Sequence, residues 1–265
     1  KINAPQLIKS LSFEKGNDFI FLAKDIGTHI QVPKFFKTKE QLEELDFETI
    51  DLSHKDFPKI DFKSSIKWRS EKQKIAHEAF SSKHSGILNL NPGRGKTVHA
   101  LKRIEEIGTP ALIVVHNSYL AAQWIKRIED PNINLTWPGQ DIGFIGNNKF
   151  DWKHPVTIAM IQSIISKVKK NTLLEEFSKW FGQIYFDEGH HLAAKKFNLA
   201  GDICWGNRYL LTATLERIDG LDCIPTYHCG PIIYSDLTWD IVPEILFVRT
   251  EASFKLSKWD NFPLA

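Results

Sequence analysis

Apolar and polar residues follow two different rhythms along this chain, and the rhythm changes near Trp68. Ahead of it, Phe19-Ile20-Phe21-Leu22 and Thr28-His29-Ile30-Gln31-Val32 are short β-prone runs around a Gly27 turn. Residues 39–45 have the pattern of a short helix and 60–65 that of a linker. After Trp68, helical stretches alternate with short apolar runs. Residues 70–80 read as a helix, Gly86–Leu90 as a strand and Lys96–Ile107 as a helix. Ala111–Val115 reads as a strand leading into a helix through Gln123 and Trp124. Val156–Met160, 183–186 and 209–211 read as further buried strands. This alternation predicts an α/β fold, a mainly parallel sheet with helices on both faces and ligands at the carboxyl ends of its strands. Residues 1–62 are expected to form a small α+β domain ahead of it.

At 265 residues, 42% hydrophobic and 25% charged, the chain has the composition of a globular protein with a sizeable core. No apolar run approaches the ~18 residues of a membrane span, and the first ten residues lack the core of a signal peptide. Three cysteines, Cys204, Cys223 and Cys229, are too few and odd in number for a disulfide framework, which points to a reducing, cytoplasmic setting. Cys223, His228 and Cys229 lie close together, but no second ligand pair follows at finger-like spacing, so they read as ordinary core or surface residues. The net charge is only +2. Its distribution is uneven: residues 1–39 hold seven lysines against three acids, and 40–62 hold eight acids against two lysines. The first stretch suits phosphates and the second repels them, although two solvated faces of a small domain would look the same.

The chemistry concentrates at two places. The run Ile87–Leu90 leads into Asn91-Pro92-Gly93-Arg94-Gly95-Lys96-Thr97, and a helix follows. Strand, glycine-rich loop and helix together are the context of a phosphate-binding loop. Gly93 and Gly95 permit backbone angles that turn successive N–H groups toward phosphate, and the helix N-terminus adds its dipole. Lys96 is placed to reach the β- and γ-phosphates of ATP, and the Thr97 hydroxyl to hold Mg²⁺. The second place is Gln183 to His190, where an apolar strand ends in Asp187-Glu188. Asp187 is expected to hold Mg²⁺, directly or through water, and Glu188 to orient and deprotonate the attacking water.

These motifs resemble superfamily 2 helicases. Asp187-Glu188-Gly189-His190 is a DExH motif, and Leu211-Thr212-Ala213-Thr214 is similar to motif III. Leu90, where the phosphate-loop consensus has glycine, resembles the XPB/UvsW type of DNA translocase, as does Val115-His116-Asn117-Ser118 followed by Gln123-Trp124 as motif Ia. Gln162-Ser163 is similar to motif Ic, and Leu215 to Gly220 to the stretch after motif III. The resemblance covers about residues 66–245. It implies a RecA-like lobe over 63–250 that binds ATP and Mg²⁺, a small accessory domain over 1–62, and the start of an interlobe linker at 251–265. It implies that Gln73, with Arg69 nearby, reads adenine, although the family spacing Arg-x-x-Gln is Arg69-x-x-x-Gln73 here. His190, Thr212 and Thr214 would couple the phosphate site to nucleic acid, and Asn117, Ser118, Gln162 and Ser163 would contact it. Met160 stands where the family often has Thr. Ser118 is also a candidate cap for the helix it opens, and Trp124 reads as core.

DNA, branched or duplex, is the implied partner, with RNA the alternative; a phage-encoded branch-migration enzyme is one such protein. Related motors of restriction or defence nucleases use the same lobes. The resemblance also implies a second RecA-like lobe carrying an arginine-rich motif. No such pattern follows Arg217, so the chain alone is expected to bind ATP and hydrolyse it very slowly.

Overall fold

The structure, a computed structural model, describes residues 4–15, 18–21, 23–25, 30–37, 41, 56–170, 172–188, 194–201, 203–215, 221 and 223–238. The helix expected over 39–45 lies, except for Gln41, outside the described residues, as do 216–220 and 251–265.

Four short apolar runs make the middle of one sheet: β5 (Gly86–Leu90), β6 (Ala111–Val115), β9 (Val156–Met160) and β10 (Gln183–Asp187). Each is almost wholly buried, because both faces of the sheet are covered and neither can carry polar side chains at every second position. With β7 (Ile142–Gly146), β8 (Lys149–Asp151), β11 (Asn207–Thr212) and β12 (Ile232–Asp236), the spatial order is β12-β5-β11-β10-β6-β9-β7-β8. Every pairing is parallel except β7 with β8. The register sets Asp187 beside Leu211 and Thr212 beside Asn89, which brings the carboxyl ends of β5, β10 and β11 level.

Period-two alternation divides the core. Leu88, Leu90, Ile113, Val115, Tyr185, Tyr209 and Leu211 face α2 (Glu71–Ser81), α3 (Lys96–Ile107) and α4 (Ser118–Ile128) through Phe80, Ile104 and Trp124. Ile87, Leu112, Val114, Ile184, Phe186 and Leu210 belong to the opposite cluster. There they meet Ile161, Ile164 and Ile165 of α5 (Ile161–Lys169) and Phe177 of α6 (Glu175–Trp180). Ala200 of α7 (Ala194–Gly201) and Ile224 of α8 (Cys223–Cys229) complete that layer. The expected α/β fold, a RecA-like lobe with helices on both faces, is thus observed.

The amino-terminal residues form α1 (Ala4–Ser10), the antiparallel pair β1 (Ser12–Lys15) and β2 (Asp18–Phe21), and a smaller pair, β3 (Lys24–Asp25) and β4 (Ile30–Gln31). Leu7, Leu11 and Ala23 join the second core cluster, and the Phe35 N–H donates to Tyr227 O at 2.9 Å. Residues 60–65 are not loose. Lys63 and Thr136 exchange backbone hydrogen bonds of 2.9 and 2.8 Å, and the Ile60 N–H donates to Gly108 O. Composition suggests a linker there; long-range pairing makes it a strap along the lobe.

Candidate nucleotide site

The phosphate loop departs from ordinary backbone at two glycines, Gly93 (φ +81°) and Gly95 (φ +89°). Gly95 is the N-cap of α3 and contributes no capping side chain, so the first-turn N–H groups keep their donors for an anion. The next residue, Lys96, is buried; its Nζ donates to Leu90 O at 3.1 Å and lies 2.9 Å from Glu188 Oε1. Thr97 follows, half-buried in the first turn of α3.

Asp187 ends β10, and its Oδ2 accepts a 2.7 Å hydrogen bond from Trp124 Nε1. Burial pushes the Asp187 carboxyl up to about 6; the Trp124 bond pulls the other way, and the neighbouring Glu188 charge adds to the rise. Glu188 has a left-handed backbone (φ +48°), and its N–H donates to Leu211 O at 2.9 Å. The strand ladder thus ends in a turn at Glu188, beside Lys96. Lysine, carboxylate pair and anion-ready helix end form one polar cluster at the carboxyl edge of a parallel sheet, where such folds bind ligands.

Gln73 and Arg69 both reach the loop. Ser70 caps α2 by accepting from the Gln73 N–H at 3.2 Å, which places the Gln73 side chain one turn in. Its Oε1 accepts from the Arg69 N–H at 3.0 Å, and its Nε2 lies against Gly95. The Arg69 guanidinium donates to Gly93 O at 3.1 Å. Arg69, Gln73, Leu90, Gly93, Arg94 and His99 border a cavity of about 270 Å³. The loop's other side chains turn elsewhere. Asn91 Nδ2 donates to Leu237 O at 2.7 Å, and Arg94 donates to Thr238 O at 2.7 Å and to its Oγ1 at 3.0 Å. Pro92 is exposed.

At motif III, Thr212 Oγ1 donates to Thr214 O at 2.6 Å and accepts from the Thr214 N–H at 3.2 Å, closing a tight turn after β11. His190 lies outside the described residues. Asn117, Ser118, Gln162 and Ser163 come together because β6 and β9 are neighbours with Val115 opposite Met160. Gln162 Nε2 donates to His116 O at 2.8 Å. The cap of α4 is Asn117 rather than Ser118: Asn117 Oδ1 accepts from the Leu120 N–H at 2.8 Å, and Ser118 is the first helical residue. The residue whose backbone is still extended is the one whose side chain can fold back onto the first turn. Cys229 and His228 are buried in the second core, with His228 Nε2 3.0 Å from Asn198 Oδ1.

Two features are announced by no motif. One is the Trp124–Asp187 bond: its two residues fall in motif Ia and the DExH motif, but neither motif announces that they meet, and a buried indole only usually finds an acceptor. The other is His99, fully buried and stacked on Trp68 at 5.3 Å and on His77 at 5.6 Å. Burial, reinforced by His77, pushes the His99 imidazole down to about 3. His77 pairs with Glu106 at 2.8 Å; hydrogen bonds from His77, Ser81 and Arg103 outweigh burial there and bring that carboxyl down to about 2.

The family described as "Type III restriction enzyme, res subunit" matches residues 62–217, more than half of the chain. The chain belongs to this family. A protein of Acanthamoeba polyphaga mimivirus, provisionally named an ATP-dependent RNA helicase, is 29% identical over 241 residues, 88% of this chain and 43% of its own length. The DNA 3'-5' translocase XPB2 of Sulfurisphaera tokodaii is 32% identical over 204 residues, 77% of this chain and 42% of its own. The chain therefore spans less than half the length of these two relatives. Among solved structures, the UvsW helicase of bacteriophage T4 superposes with a TM-score of 0.59 over 86% of this chain and 91% of that one, at 16% identity, a likeness of fold. The XPB/UvsW-like type of superfamily 2 helicase is thus the type to which the chain is similar. Among the described residues, no helix is long and apolar enough to cross a membrane.

Proposed function

We propose that this chain carries the ATP-binding lobe of a DNA helicase or translocase. Residues 63–250 form the first RecA-like lobe, 1–62 an accessory segment for DNA structure, and 251–265 the start of the connection to a second lobe. The observation that carries the reading is the 2.9 Å approach of Lys96 Nζ to Glu188 Oε1, which joins the phosphate loop to the DExH acids.

Lys96 and the backbone N–H groups of Gly95, Lys96 and Thr97 bind the phosphates of ATP, while Gln73 and Arg69 bound the adenine side. The Thr97 hydroxyl and the Asp187 carboxylate are hard oxygen donors suited to Mg²⁺, and a carboxylate raised to about 6 by burial gains from a cation beside it. Bound Mg²⁺ would neutralise charge on the phosphoryl oxygens. Glu188 accepts the proton of the attacking water. Thr212 and Thr214, with His190, relay the state of this site to Asn117, Ser118, Gln162 and Ser163, which hold nucleic-acid backbone. DNA is favoured by the relative named a DNA 3'-5' translocase. The family description favours a second use of the same lobe, as the motor of a restriction enzyme; DNA cleavage by the full-length gene product would select it.

The test is calorimetry of ATP binding to this chain with and without Mg²⁺, followed by ATPase assays with single-stranded, duplex and branched DNA and with RNA. Expected are magnesium-dependent uptake and slow turnover, since an arginine supplied by a second lobe is worth about 10³–10⁵ in rate. Stimulation by RNA alone would move the substrate to RNA. Failure to take up nucleotide would end the motor reading.

A further inference from the structure

Trp124 and Asp187 lie 63 positions apart in sequence and share one buried 2.7 Å hydrogen bond. The indole has a single donor and no acceptor, so its N–H can serve only a group such as this carboxylate. Packing alone does not require it: a phenyl ring fills a core position without a donor to satisfy. A donor fixed against Oδ2 restricts the carboxylate's rotation, as hydrogen-bonded partners of metal-binding carboxylates do.

The position of the indole matters as much as its partner. Trp124 lies on α4, whose N-cap is Asn117. At 1.5 Å per residue the two are about 10 Å apart along a single rigid helix. Around that helix N-terminus are Asn117, the exposed Tyr119, and His116, whose carbonyl accepts from Gln162 at the start of α5. One element therefore touches the candidate backbone contact at its end and the acid of the nucleotide site in its middle.

We propose that Trp124 is a positioning residue. Its indole N–H orients Asp187 toward the divalent cation that accompanies ATP, and through α4 it transmits occupancy at Asn117 and Ser118 to that carboxylate. The inference rests on the nucleotide reading above.

The test follows the indole N–H resonances of the ¹⁵N-labelled 265-residue chain. The Trp124 signal is identified by its loss in Trp124→Phe, or by triple-resonance assignment if that variant does not fold. It should move when Mg²⁺ and a non-hydrolysable ATP analogue are added together, stay in place with the analogue in EDTA, and move again with duplex DNA. In Trp124→Phe the Mg²⁺ midpoint for analogue binding should rise about 10–100-fold. A Trp124 resonance unmoved by Mg²⁺ while calorimetry records magnesium-dependent uptake would overturn the proposal. So would a folded Trp124→Phe with the wild-type midpoint. A resonance unmoved by duplex that binds would overturn the transmission through α4. A wild-type chain that takes up no nucleotide overturns the motor reading itself, and this inference with it.

Discussion

Lys96 Nζ lies 2.9 Å from Glu188 Oε1, so the cation of the phosphate loop and the second acid of the strand tip are direct partners. Triphosphate must replace Glu188 as the lysine's counter-ion. Lys96→Ala should therefore abolish ATP binding, whereas Glu188→Gln, with one negative charge fewer beside the phosphates, should bind at least as tightly. Glu188→Gln should lower nucleic-acid-stimulated turnover of the full-length product about 10²–10⁴-fold, the usual range for removal of a general base. Calorimetry and phosphate release measure the two effects; wild-type turnover in Glu188→Gln removes that side chain from the chemistry.

The two loop glycines separate backbone strain from contact with Gln73. A Cβ on Gly93 would meet nothing within 4 Å, so Gly93→Ala carries only the left-handed backbone penalty of about 1–2 kcal/mol. A Cβ on Gly95 would fall 2.3 Å from Gln73 Nε2 and drive that side chain away as well. Both variants should weaken ATP binding, but only Gly95→Ala should also narrow the preference for ATP over GTP. Equal ATP/GTP ratios in the two would acquit Gln73 of reading the base.

Asn117 and Ser118 differ in what they hold. Asn117→Ala removes the cap of α4 and should lower stability by about 1 kcal/mol. Ser118→Ala should leave the melting temperature nearly unchanged and weaken duplex binding by a similar factor at every salt concentration, because an uncharged hydroxyl displaces no counterion and the log–log salt slope stays where it is. A variant with unaltered affinity would show that Ser118 does not touch the backbone.

His99 makes stability depend on acid. Its folded pKa, about 3, lies below the ordinary value of 6.5, so the unfolded chain takes up the proton first. Stability should fall as pH drops below about 6.5, by about 2 kcal/mol near pH 5, and the loss should level off only near 3. Asp187 acts in the opposite sense, since a carboxyl raised from 3.8 to about 6 favours the folded chain on acidification between those values. His99→Phe removes the histidine's contribution and leaves that of Asp187. Between about pH 7.5 and about pH 5, the denaturant midpoint of the wild type should therefore fall further than that of His99→Phe; parallel falls would contradict it.

What the sequence discloses follows from locality. β5, β6, β9 and β10 are legible because strands buried on both faces are mostly apolar, with only Asn89, Thr157 and Gln183 breaking the runs, and the acids at 187–188 because they end such a run. β7 is hidden because two glycines dilute it, and β12 because it is a partly exposed edge strand ending in Ser235 and Asp236. α5 starts directly at the end of β9 with Met160 as N-cap, and no capping side chain announces it. At the site, the phosphate loop and the DExH acids are each contiguous in sequence and therefore readable. The meeting of Trp124 with Asp187, and the clustering of His99 with Trp68 and His77, arise from chain crossings that leave no local trace.

Asn91 and Arg94 grip the carbonyls of Leu237 and Thr238, just beyond the outermost strand. The loop that would greet a phosphate is thus also pinned to the end of the edge strand, so a ligand that draws Arg94 away must give up its two bonds to Thr238.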